Sequence, residues 1–90
     1  MTTAQTNLQA MIEFRAHLQK FNQGLESDYR SMVGAWKGLG DVWRDDKYRD
    51  FGEALEEVGR GIDRYLATTA DHERHLLRLI ESIDAYLQVR

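Results

Sequence analysis

The residues best suited to chemistry in this sequence are three histidines and a run of carboxylates. His72 and His75 are three apart, so on a helix they share a face, with Asp71 and Glu73 beside them. Such a pair could begin a zinc site, but zinc takes three or four ligands, and the remaining histidine, His17, stands alone near the start of the chain. The sequence contains no cysteine, which removes both thiolate ligation and disulfides. The pair therefore reads as a polar layer in a helical seam, of the kind that fixes register. Glu53, Glu56, Glu57 and Asp63 alternate with Arg60 and Arg64, and Glu56 precedes Arg60 in the favoured i to i+4 order. That pattern is a solvated helix face rather than an acid/base pair. No serine and histidine are arranged as a nucleophile, and no glycine run has the form that cradles phosphate. No catalytic residue, metal or cofactor is expected.

The elements that would position these residues follow from the apolar repeat. Counted in sevens, Met11, Leu18, Leu25, Met32 and Leu39 form one row, and Phe14, Phe21, Asp28, Ala35 and Val42 form a second, apolar except at Asp28. These are the a and d rows of a heptad seam. The repeat restarts at Tyr48, with Leu55, Ile62, Thr69, Leu76 and Ile83 in the a row and Phe51, Val58, Tyr65, His72, Leu79 and Tyr86 in the d row. The first register would place its next a residue at Asp46. A two-residue slip turns the seam by about 200°, so one straight helix cannot present both halves to one core. The sequence predicts an all-α antiparallel hairpin over 1–90: a first helix over about 3–42, a turn at 43–46, and a second helix over about 46–88. Thr2 and Gln5 have capping-box spacing, and Asp45 or Asp46 can cap the second helix.

Composition agrees with helix: there is no proline, and leucine, glutamate, arginine, alanine and glutamine abound. A net charge of −3, with 30% charged residues of mixed sign, argues against nucleic acid or an anionic membrane as partner and towards another protein. The start of the chain has no basic stretch leading into an apolar core, and no run reaches the roughly 20 apolar residues of a membrane span. A cytoplasmic protein without membrane insertion is expected, or one secreted together with a partner. A two-helix hairpin encloses no pocket, so an enzyme is not expected.

With two helices, a length near one hundred and a tryptophan at the turn, the chain resembles the WXG100 family, the small ESAT-6-like bacterial proteins of type VII secretion. Two tripeptides compete for the family motif. Trp36-Lys37-Gly38 matches W-x-G literally but lies, by phase, before the end of the first helix. Trp43-Arg44-Asp45 lies at the turn and resembles the variant with aspartate in the third place, followed by Tyr48 and Phe51; it is the preferred match. The resemblance implies a secretion substrate, or a partner or adaptor of a larger secreted effector. The family's Y-x-x-x-D/E export signal is not matched, since Tyr65 is followed four places on by Thr69 and Tyr86 by Arg90. Export is therefore expected to depend on a partner. The alternative is a structural coiled-coil or bundle subunit unrelated to secretion.

If the a and d rows face each other, a further apolar surface is left uncovered. Tyr29, Val33 and Trp36 on the first helix, and Leu66, Leu77, Ile80 and Leu87 on the second, are the expected partner interface. The expected partner is a second copy, forming a four-helix bundle, or a sister hairpin or effector protein. Mostly small residues flank both seams, with Ala10, His17, Gly24, Ser31 and Gly38 on one helix and Ala54, Gly61, Thr68, His75 and Ser82 on the other, which permits close helix approach.

Overall fold

The computed structural model describes residues 2–89: two helices, α1 (Thr3–Leu39) and α2 (Asp46–Gln88), joined through residues 40–45 into an all-α hairpin. No strand occurs among the described residues, and none of their helices is long and apolar enough to cross a membrane.

Each helix starts where its sequence supplies an oxygen for the unpaired first-turn amides. The Thr2 hydroxyl accepts from the Gln5 N–H at 3.1 Å while the Gln5 side chain accepts from the Thr2 N–H at 2.8 Å, a reciprocal capping box. Asp45 caps α2, its Oδ1 accepting from the Tyr48 N–H at 3.1 Å. Asp46 then places a negative charge in the first turn, against the positive end of the helix dipole.

Helix α1 ends three residues earlier than the repeat suggests, so the turn occupies 40–45 rather than 43–46. The Leu39 carbonyl takes the Val42 and Trp43 amides at 3.0 and 2.9 Å, and the Gly40 N–H turns back to Lys37 at 3.1 Å. The guanidinium Nε of Arg44 closes the turn on the Gly40 carbonyl. Gly40 is buried, and a Cβ there would lie 2.8 Å from the Tyr48 hydroxyl and 3.2 Å from the Lys37 carbonyl oxygen. Close approach, not a left-handed φ, is what demands glycine, for no described glycine has positive φ. Val42, which extends the d row on paper, lies beyond the helix and is 85% exposed.

The seam also differs from the expected a and d pairing. On α1 the half-buried residues include Leu8, Met11, Leu18, Leu25, Tyr29 and Trp36, while Met32 and Leu39 of the a row stay exposed; on α2 they run through Tyr48, Leu55, Ile62, Leu66, Leu76 and Ile80. These are the a and e rows. Each helix is turned by about 50° from the a and d arrangement. The d-row residues Phe14, Phe21, Phe51, Val58, Leu79 and Tyr86 are left exposed.

By internal contacts the chain resolves into two compact units, a terminal unit (Met1–Phe21, Ala67–Arg90) and a turn unit (Asn22–Leu66). Each pairs one stretch of α1 with one of α2.

Candidate interaction surfaces

In the turn unit two aromatic side chains of α1 are seated on glycines of α2. The Tyr29 hydroxyl donates to the Leu55 carbonyl at 2.9 Å, and its ring lies over Gly59. The Trp36 indole N–H donates to the Tyr48 carbonyl at 3.1 Å, and its ring lies over Gly52. The arrangement repeats after seven residues: in each case the accepting carbonyl is four residues before the glycine. In an α-helix that carbonyl already accepts from the glycine's own amide, so the missing Cβ is what lets a second donor reach it. A Cβ at Gly52 or Gly59 would fall within 3.0 Å of three atoms of the aromatic above it.

Tyr48 completes the clasp. Its ring stacks on Trp36 at 4.6 Å with 13° between planes, and its hydroxyl donates back to the Trp36 carbonyl at 2.8 Å. Trp43 meets Tyr48 edge-on, at 5.5 Å and 61°, and remains 37% exposed. The turn tripeptide is thus divided among three local tasks: Trp43 covers Tyr48, Arg44 ties down Gly40, and Asp45 caps α2. In the other tripeptide Trp36 is the side chain with such a role, Lys37 contributes its carbonyl to the turn, and a Cβ on Gly38 would meet nothing within 4 Å.

Of the residues expected to face a partner, Tyr29 and Trp36 are engaged in this clasp. Val33, Leu66, Leu77, Ile80 and Leu87 are half-buried as well. The rotation to an a and e seam turned the e row, with Val33 and Leu77 beside the a row, inward and brought the d row out. In the turn unit Met32, Ala35, Trp36, Leu39, Trp43 and Phe51 line a groove to which no charged group contributes. In the terminal unit Phe14, Leu18, Thr69, His72, His75 and Leu76 line another. Phe14 and Phe21 are 58% and 59% exposed, and Phe51 47%. The d row was legible in the sequence as apolar; the signal for its exposure was the pair Gly52 and Gly59, spaced like Tyr29 and Trp36 and able to receive them.

The ion pairs lie elsewhere. Arg30 meets Glu26 at 3.6 Å, and Arg60 meets Glu56 and Glu57 at 3.7 and 2.5 Å. The hydrogen bond from Arg60 and its charge hold the Glu57 carboxyl below its usual range and raise Arg60 in turn. Both side chains are more than half exposed, so this is a solvated pair of small consequence for stability. His72 and His75 flank the apolar groove of the terminal unit, and no group of three or more metal-ligating side chains is assembled among the described residues. On the e rows of that unit Arg15 and Glu73 are half-buried, and Arg15 Nε has no hydrogen-bond partner among the described residues.

The chain matches no family model, no curated protein and no solved structure.

Proposed function

We propose that this chain is a non-enzymatic protein–protein interaction module of the WXG100 type, acting as a type VII-like secretion substrate or as partner or adaptor of a larger secreted effector. The observation that carries the interaction reading is an incomplete core. No apolar side chain among the described residues is buried, while Phe14, Phe21, Met32, Phe51 and Val58 are each about half exposed or more. The exposed area is 6987 Å², against about 5,400 Å² for a compact folded monomer of this mass. An excess of that order exceeds the roughly 800 Å² per partner that a standard interface removes.

A second copy is the simplest cover. Two hairpins pressing their d rows together give a four-helix bundle with closed symmetry. The grooves present no like charges to each other, and a net charge of −3 opposes self-association little. The rows beside d on the wheel, on the side away from the seam, are mostly small, with Ala10, Gly24, Ser31 and Gly38 on α1 and Ala54, Gly61 and Ser82 on α2 interrupted by His17, Thr68 and His75, and leave room for neighbouring helices at the small positions. The secretion role rests on the resemblance: a helical hairpin with a tryptophan at its turn.

Sedimentation equilibrium at micromolar concentration tests the interaction. A dimer is expected for the wild type, and Phe14→Ser/Phe51→Ser is expected to dissociate it by more than tenfold in Kd with helicity per chain retained. A compact wild-type monomer would refute self-docking. For secretion, export of the chain expressed alone and beside its neighbouring genes is compared; efficient export of the lone chain would refute dependence on a partner.

A further inference from the structure

We infer that Asp28 sets the register of self-docking: once covered by a second copy, its carboxylate accepts a hydrogen bond from the imidazole of the partner's His72. This rests on the self-docking proposed above.

Asp28 is the single carboxylate on the d rows of the two helices, and His72 the single imidazole. Both are exposed in the hairpin, and neither has a hydrogen bond or ion pair among the described residues. Two hairpins that press their d rows together take water from both groups. A carboxylate left there without a donor is strongly unfavourable, so the docked arrangement is one that brings an N–H or O–H to Asp28. Imidazole carries an N–H in either protonation state, and its bond to a carboxylate is of the stronger, charge-assisted kind. The contact therefore does not depend on titration of His72.

The other donors on or beside the d rows are less suited. Asp71 stands four residues before His75, one turn away on the same helix face. Tyr65 is already engaged, and Asn7 and Tyr86 lie close to helix ends, which fray. At Asp28 there is room for an incoming ring: Gly24 and Ser31 lie one turn to either side, and a Cβ on Gly24 would meet nothing within 4 Å. Phe14, Leu18 and Leu76 line the groove that His72 also lines, so apolar contact shields the pair from water. One polar pair inside an apolar interface fixes which positions meet, at some cost in affinity.

The chain has no cysteine, so single thiols report the register directly. Asp28→Cys and His72→Cys chains, mixed at micromolar concentration with a short bismaleimide, should form the mixed cross-link in preference to either symmetric one. Preferred coupling of either variant to itself overturns the inference. Sedimentation at one fixed pH then reads the energetics. His72→Ala, which strands the carboxylate, should raise the dimer Kd by about tenfold or more. Asp28→Ala strands only the imidazole and should raise it less. Asp28→Ala/His72→Ala, with neither group left to strand, should dimerise more tightly than His72→Ala. An unchanged Kd in His72→Ala, or no recovery in the double variant, leaves docking standing and overturns the pair. Were His72→Ala to lose helicity, the cross-link result alone decides. A wild type that stays monomeric overturns self-docking and this inference with it.

Discussion

The turn unit and the terminal unit bury the same heptad rows but are held by different means. In the turn unit, Tyr29 and Trp36 hydrogen-bond to backbone carbonyls of α2 across two glycines, and Tyr48 returns a bond to the backbone of α1. In the terminal unit the seam is aliphatic, Leu8, Met11 and Leu18 with Leu76, Ile80 and Ile83, interrupted by Thr69, Arg15 and Glu73. Thr69 is only 7% exposed, the most enclosed side chain of either helix. Directional bonds to the backbone fix a rotation; aliphatic side chains accept several. The clasp therefore fixes the a and e seam of the turn unit.

The sharpest way to break this contrast is to fill the sockets. Gly52→Ala and Gly59→Ala each force a Cβ into the ring above, and overpacking of this kind costs about 1–3 kcal/mol. Both should lower the midpoint of thermal unfolding, read by circular dichroism at one fixed protein concentration. An unchanged midpoint would show that the rings move aside freely. Leu76→Ala, in the terminal unit, removes a half-buried aliphatic side chain and should cost about 1–2 kcal/mol, roughly half the value for full burial. Hydrogen exchange should then accelerate in Ala67–Gln88 but not near Gly52.

Tyr29→Phe keeps the ring and deletes the donor, so about 0.5–1.5 kcal/mol should be lost. An equal effect of Tyr29→Phe and Tyr29→Leu would mean that the hydroxyl contributes nothing. The opposite sign is expected at Gly24 and Gly38, where an added Cβ meets nothing within 4 Å: alanine at either should stabilise by about 0.5–1 kcal/mol through helix propensity. The smallest effect concerns the Glu57 carboxyl, held low by Arg60. Its contribution is present at neutral pH and disappears as pH falls through the lowered value, so Glu57→Gln should flatten the acid limb of stability only slightly.

Much of the hairpin is readable without coordinates because helix is a local matter. The absence of proline, the heptad period, the Thr2 and Gln5 capping box and the Asp45 cap each act within a few residues, and the two caps stand as the residues suggest. The second helix begins at Asp46, where the phase change requires it. The end of α1 was less legible. The apolar repeat carries on to Val42, while the chain leaves the helix after Leu39 and the Tyr48 hydroxyl, nine residues later, lies over Gly40.

Which side of each helix faces inward was decided by tertiary structure alone. Periodicity determined that each helix has mostly apolar a and d rows with further apolar residues beside them on e, such as Trp36 and Ile80, and a row repeating in sevens reads the same whether it faces a sister helix or solvent. The choice required knowing that Tyr29 lands on Gly59 and Trp36 on Gly52, contacts between residues far apart in sequence. Tryptophan at position 36 could only be read as large and amphipathic; that its N–H reaches a carbonyl bared by a glycine depends on the register of two helices. Sequence by itself determined an all-helical hairpin with more apolar rows than two helices can cover. Packing decided which row was left over, because glycine sockets and aromatic donors fix helix rotation where hydrophobicity, having no direction, does not.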